Sequence, residues 1–188
     1  MTSSYATAKR LLGCNFLPSR NSLKADNTLP IPWSEASLEK YSESHILSFV
    51  PALSIREMAI SSDLSHFFNQ TELADEKFMK SPPIPGWHLI QKKPVFDSGN
   101  KWWLEQRLML DKGETVPSAA VLTYSAIMYF LQTGLRLFEN CFVRTTDVCR
   151  DGRRVSFYNF NQDGVHYDSW SEINYHHIKV AAEILSEI

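Results

Sequence analysis

Between Ser118 and Phe138 the chain reads SAAVLTYSAIMYFLQTGLRLF, with Arg136 its one charged residue and with Thr115 and Pro117 just ahead of it. A proline at the entrance and the absence of any inside the span predict a helix. Its apolar residues run around the whole surface instead of along one stripe, so other elements must cover it on all sides. Gly134 either ends this helix or lets a neighbour pack closely within it. That demand for cover constrains the fold more than any other stretch.

With 188 residues, 44% of them hydrophobic and 21% charged, the chain can supply that cover within one domain of ordinary size. Beyond the helix the apolar period shortens towards two. Cys141 to Thr145, Val155 to Phe160 and Val165 to Tyr167 read as three short strands. Asp151-Gly152 turns the first into the second, and Gln162-Asp163-Gly164 turns the second into the third. The closing segment, Ile178 to Ile188, fits a strand or a helix.

Ahead of the helix, residues 1–30 read as an N-terminal arm, extended or with a short helix, and Pro30 and Pro32 separate it from a domain spanning 31–188. Ser34, with acidic residues close behind, marks a short helix start. HILSFVPALSI, from His45, reads as a buried strand ending near Val50 because Pro51 interrupts it. A short helix or two follow up to about Lys80. SPPIPG then breaks the chain before the strand Trp87 to Ile90. Asn100, at the end of the turn Asp97 to Asn100, is placed to cap a helix KWWLEQRLML, with Trp102, Trp103, Gln106 and Leu110 near one face. Trp87, Trp102 and Trp103 are expected in the core. The class is α+β.

Net charge of -2 supplies no basic field, which disfavours a general nucleic-acid binder. Cys14, Cys141 and Cys149 match no zinc or redox spacing and read as buried thiols in a reducing compartment. The first twenty residues have no apolar core of signal-peptide length, and no run reaches the roughly 18 apolar residues of a membrane helix. The default expectation is a cytoplasmic protein.

Chemistry-bearing side chains crowd one stretch, RRVSFYNFNQDGVHYDSWSEINYHH, residues 153–177. His166, Asp168, His176 and His177 are metal-ligand types, but adjacent histidines point to opposite sides of a strand, and no metal or other cofactor is expected. A hydrolase using His166 and Asp168, with Cys141, Cys149, Ser156 or Ser169 as nucleophile, remains an alternative, although no nucleophile elbow is present. Arg150, Arg153 and Arg154 beside Phe157, Tyr158 and Tyr167 would suit a nucleic-acid backbone, but Asp147, Asp151 and Asp163 offset their charge. His45, His66 and His88 are isolated. Tyrosine, tryptophan and histidine mixed with serine, asparagine and aspartate have the composition of antibody paratopes, which favours a surface for holding a protein or other macromolecule.

FVRTTD at 142–147, followed by RRVSFYNF, DGV, SW and IKVAAE, resembles a pattern found in bacterial proteins in which an apolar helix, ending like Gly134 to Glu139 here, leads into a VRTSD-like strand. HILSFVPALSI and PGWHLIQKKPVFDS are similar to earlier segments of the same family, so the likeness spans roughly residues 30 to 185. The pattern's glycine in the closing strand is Lys179 here. Such proteins are the variable targets of diversity-generating retroelements, and the resemblance implies a C-type-lectin-like fold that displays altered side chains as a non-enzymatic, ligand-binding surface. It implies a frame of Arg154, Val155, Phe160, Gly164, Val165, Trp170 and Ile178. The implied binding positions are Ser156, Tyr158, Asn159, Asn161, His166, Asp168, Ser169, Tyr175 and His176, with Trp170 counted among them as well.

Overall fold

The structure, a computed structural model, describes residues 2–18, 29–68, 74–170 and 177–186. In chain order the elements are α1 (Tyr5–Leu12), β1 (Phe16–Leu17), α2 (Glu35–Tyr41), β2 (His45–Val50), α3 (Ile55–Ile60), α4 (Lys77–Lys80), β3 (Gly86–Gln91), α5 (Trp103–Leu108), β4 (Glu114–Thr115), α6 (Ala119–Thr133), β5 (Phe142–Val148), β6 (Arg154–Asn161), β7 (Gly164–Trp170), β8 (Ile178–Val180) and β9 (Glu183–Ile184). Strands form two sheets, ordered β1-β2-β3-β9-β4 and β7-β6-β5-β8, and most pairings are antiparallel. The class is α+β.

Cover for the apolar helix comes from both sheets. Ile46, Val50 and Ile90 of the first sheet and Val143, Val155 and Phe157 of the second join α6 in one buried cluster. Leu47, Phe49 and Leu89 point to the other face of the first sheet, where Ala8 and Leu12 of α1 and Leu38 of α2 cover them. All six residues of β2 are buried, which explains why the apolar residues of HILSFV fall on both faces instead of alternating. Residues 2–18 of the segment read as an arm are built into this layer: β1 pairs parallel with β2, and Phe16 stacks on Trp87 with ring centroids 5.2 Å apart.

Local chemistry sets the ends of α6. The Ser118 hydroxyl accepts from Val121 N, and Gly134 ends the helix with φ 74, donating its N–H to Phe130 O at 2.7 Å. Residues 135–138 therefore lie beyond the helix. Asn100 does not cap α5. It adopts φ 58 in the preceding turn, and the residue that caps α5 is Trp102, two residues later, whose N donates to the Glu105 carboxylate at 2.6 Å. Trp102 is 54% exposed instead of buried.

Both predicted turns form, and the second is tightly built. Gly164 has φ 110, and a Cβ there would stand 2.5 Å from Phe67 O, so only glycine lets this hairpin approach residues 67–68. After β8 the chain crosses back through buried Ala181 and Ala182 so that β9 pairs with β3 and β4. The closing segment is thus two short strands joining the sheets. No helix among the described residues is long and apolar enough to cross a membrane.

Candidate binding site

The second sheet has two unlike faces because its side chains alternate across the pleat. Val155 and Phe157 of β6 and Val165 and Tyr167 of β7 enter the α6 cluster. The Tyr167 hydroxyl meets Thr123 Oγ1 at 2.6 Å, and burial pushes its pKa up. On the opposite face, register sets Tyr158 against Phe142 and His166, Ser156 against Arg144 and Asp168, and Arg154 against Trp170. Tyr158 stacks on Phe142 at 3.8 Å, Trp170 meets Phe142 edge-on at 5.7 Å, and His166 meets Tyr158 edge-on at 6.2 Å. These four rings make a half-exposed aromatic row on a strand framework.

α5 covers the other part of this face. Arg154 lies over the Trp103 ring at 3.8 Å and donates to Thr146 O at 3.0 Å. Arg144, 2% exposed, donates to Gln106 Oε1 at 2.8 Å. Gln106 Nε2 in turn donates to Ser98 O at 2.6 Å and Ile178 O at 2.7 Å. One buried amide therefore ties β5, β8 and the 97–100 turn together.

FVRTTD becomes intelligible in these terms. Val143 packs in the core, Arg144 holds Gln106, and the Thr145 hydroxyl donates to Val155 O at 3.1 Å. The Asp147 carboxylate accepts from Ala119 N at 2.6 Å, at the N-terminus of α6, where the helix dipole favours an anion. Burial nonetheless raises the Asp147 pKa above the usual carboxylate value. The motif is a structural clamp that ties β5 to α5, α6 and β6.

Of the expected binding positions, Tyr158, His166, Asp168 and Trp170 lie together on the outer face, each half-buried. Ser156 shares that face but is fully covered, and Ser169 is buried on the opposite side with Tyr167, so neither is displayed. Strand period assigns Ser169 inward, and Ser156 sits in register with Arg144, itself buried. Asn161 Oδ1 accepts from Asp163 N at 2.8 Å and so shapes the hairpin turn. Tyr175, His176 and the Asn159 side chain lie outside the described residues.

Among the described residues, the groups that the rival chemistries would need do not meet. Ser156 Oγ has no hydrogen-bond partner among the described residues, and Asp168 Oδ1 accepts from Ser169 N at 2.7 Å. Among the described residues no group of three His, Cys, Asp or Glu side chains is placed to hold a metal ion. The three arginines diverge. Arg150 donates to Asp75 O, Arg153 pairs with Asp151 at 2.5 Å, and Arg154 stacks on Trp103. The expectation of buried thiols is met at Cys149 and not at Cys14, which is exposed. Burial raises the Cys149 thiol pKa, which keeps that sulfur a weak nucleophile.

Beside the aromatic row opens a groove of about 820 Å³ that the sequence did not announce. Residues 93–97, Gly99 and Asn100 form one wall, and Asn140 to Phe142, His177 and Lys179 form the other. Asp97, Asn100 and Asn140 all have positive φ, from 55 to 60, a conformation asparagine and aspartate tolerate best among non-glycine residues. That Asx-rich pattern around PVFDSGN was the available signal. In comparison with known proteins, the chain matches no protein-family model, no curated protein and no solved structure.

Proposed function

We propose that the chain is a non-enzymatic binding protein, a C-type-lectin-like variable protein of the diversity-generating retroelement type, which holds a protein partner on the outer face of its second sheet. The observation that carries this reading is the division of β6 and β7. Val155, Phe157, Val165 and Tyr167 anchor the strands in the core, while Tyr158, His166, Asp168 and Trp170 stand on the other side. Such a frame keeps its shape when the outward residues change, because those residues contribute little to the core. Aromatic anchors on a rigid support are where binding energy concentrates, about 2 kcal/mol or more for each that becomes fully desolvated. Support for the lectin-like part comes from the return of β9 to the first sheet and from the FVRTTD clamp between helix and meander. A cytoplasmic location belongs to the same proposal and rests on the free thiols of Cys14, Cys141 and Cys149.

The deciding experiment is to sequence the DNA beside the gene. A near-identical repeat of the codons for 153–177, differing at adenines and lying next to a reverse-transcriptase gene, is the expected result. A locus with neither sinks the retroelement reading.

A further inference from the structure

We propose that the groove between residues 93–100 and 140–142 and 177–179 binds a carboxylate-bearing segment of the protein partner, seating an Asp or Glu between Lys93 and Lys179 while an apolar neighbour rests on Phe96 and Phe142. This deepens the reading of the sheet face as a protein-binding surface and rests on it. Phe142 belongs both to the groove lining and to the aromatic row, so the two surfaces are continuous.

Charge points to the ligand class. Lys93 and Lys179 take part in none of the ion pairs among the described residues, although both line the groove. Asp97 is the one acidic side chain among the described residues of the lining, and it pairs with Lys101 at 3.2 Å. A groove with two ammonium groups that pair with no carboxylate among the described residues, in a chain of net charge -2, is a local positive site that complements an anion. Phe96, 92% exposed, offers an apolar surface beside those charges. A bare inorganic anion would leave that ring unused.

The walls are fixed before any ligand arrives. Val95 N donates to Val180 O at 2.8 Å, Ser98 Oγ donates to Val95 O at 2.7 Å, and Val180 N donates to Ser98 Oγ at 3.3 Å. Gln106 then holds Ser98 O and Ile178 O from beneath. The Lys179 stem runs beside Gly99, where a Cβ would stand 3.9 Å from its Cγ. Fixed walls reduce the ordering cost of binding, so weak surface charges act together here.

The test is an amide-resolved NMR titration of the full chain with a capped peptide of alternating glutamate and phenylalanine. The same peptide with glutamine for glutamate, and inorganic phosphate, serve as comparison probes. Saturable shifts at Gly99, Cys141 and Lys179 with the acidic peptide alone are expected, and K93A/K179A should weaken binding about tenfold. Both lysines lie outside the core clusters, so a matching thermal midpoint for this variant separates lost binding from lost fold. Equal binding of the glutamine peptide, equal binding of phosphate, or no shifts at these residues would overturn the proposal. Y158A/H166A, by contrast, tests the sheet face: if it abolishes partner binding while groove shifts persist, both readings stand. If groove shifts persist and Y158A/H166A leaves partner binding intact, only the sheet-face reading falls.

Discussion

The two sheets use the same alphabet of residues for opposite purposes. The first sheet is closed on both sides, by α1 and α2 on one and α6 on the other, and β2 is buried at every position. The second is closed on one side, and on the other α5 covers only the part near Arg144 and Arg154, leaving Tyr158, His166, Asp168 and Trp170 half-exposed. A doubly covered sheet can only hold the fold together, whereas a half-covered one has side chains left over for contact. Function is therefore expected where the layering is incomplete.

The sharpest way to break this comparison is to truncate one residue on each face of β6. Phe157→Ala, on the covered face, should cost about 3–5 kcal/mol of unfolding free energy in a urea titration. Tyr158→Ala, next to it on the outer face, should cost about 1 kcal/mol. Similar losses from both would mean that the outer face is as structural as the inner one.

Gln106→Ala should come next, at about 3 kcal/mol, because it removes the Oε1 acceptor of one Arg144 bond and the Nε2 donor to two backbone carbonyls at a buried position. If the groove walls depend on this amide, the same variant should also broaden the amide signals of residues 95–100. A loss confined to thermal stability, with those signals unchanged, would separate the groove from the clamp.

His45 probes the covered sheet by pH. Burial, with Lys92 and Lys40 nearby, lowers its pKa from 6.5 to about 4. The unfolded chain protonates at the higher value and the folded chain at the lower, so this residue's contribution to stability is complete above about pH 6.5. It is lost as pH falls from there towards 4, by on the order of 2–3 kcal/mol. His45→Phe should remove that part of the acid slope; a slope identical to the wild type would contradict it. The smallest effect belongs to His166→Ala and Asp168→Asn, which should shift stability by less than about 0.5 kcal/mol while changing what the face binds.

Much of the fold was legible because it depends on neighbours in the chain. Pro117 and Gly134 bracket α6, Ser34 starts α2, and Gly152 and Gly164 turn the meander, each through a local backbone preference. The candidate binding positions were legible only in part. Alternation along β6 and β7 puts Tyr158, His166 and Asp168 on one face, but nothing local reveals that Ser156 on the same face is fully covered. Trp102 was misplaced for a related reason: α5 starts after it, so its ring leaves the face that Gln106 buries.

By itself the sequence determined an α+β chain with one helix that had to be enclosed, a three-strand meander, and a mixed aromatic and polar stretch within it. Those properties follow from period, turn chemistry and side-chain type, all of which act over a few residues. Tertiary structure alone decided that two sheets enclose the helix, that Asp147 caps it from a strand, and that Gln106 joins Arg144 and Ile178, 38 and 72 residues away. It also opened the groove beside Phe142. Such contacts depend on how far each layer extends over the next, a quantity set by the packing of the whole chain and not by any segment of it.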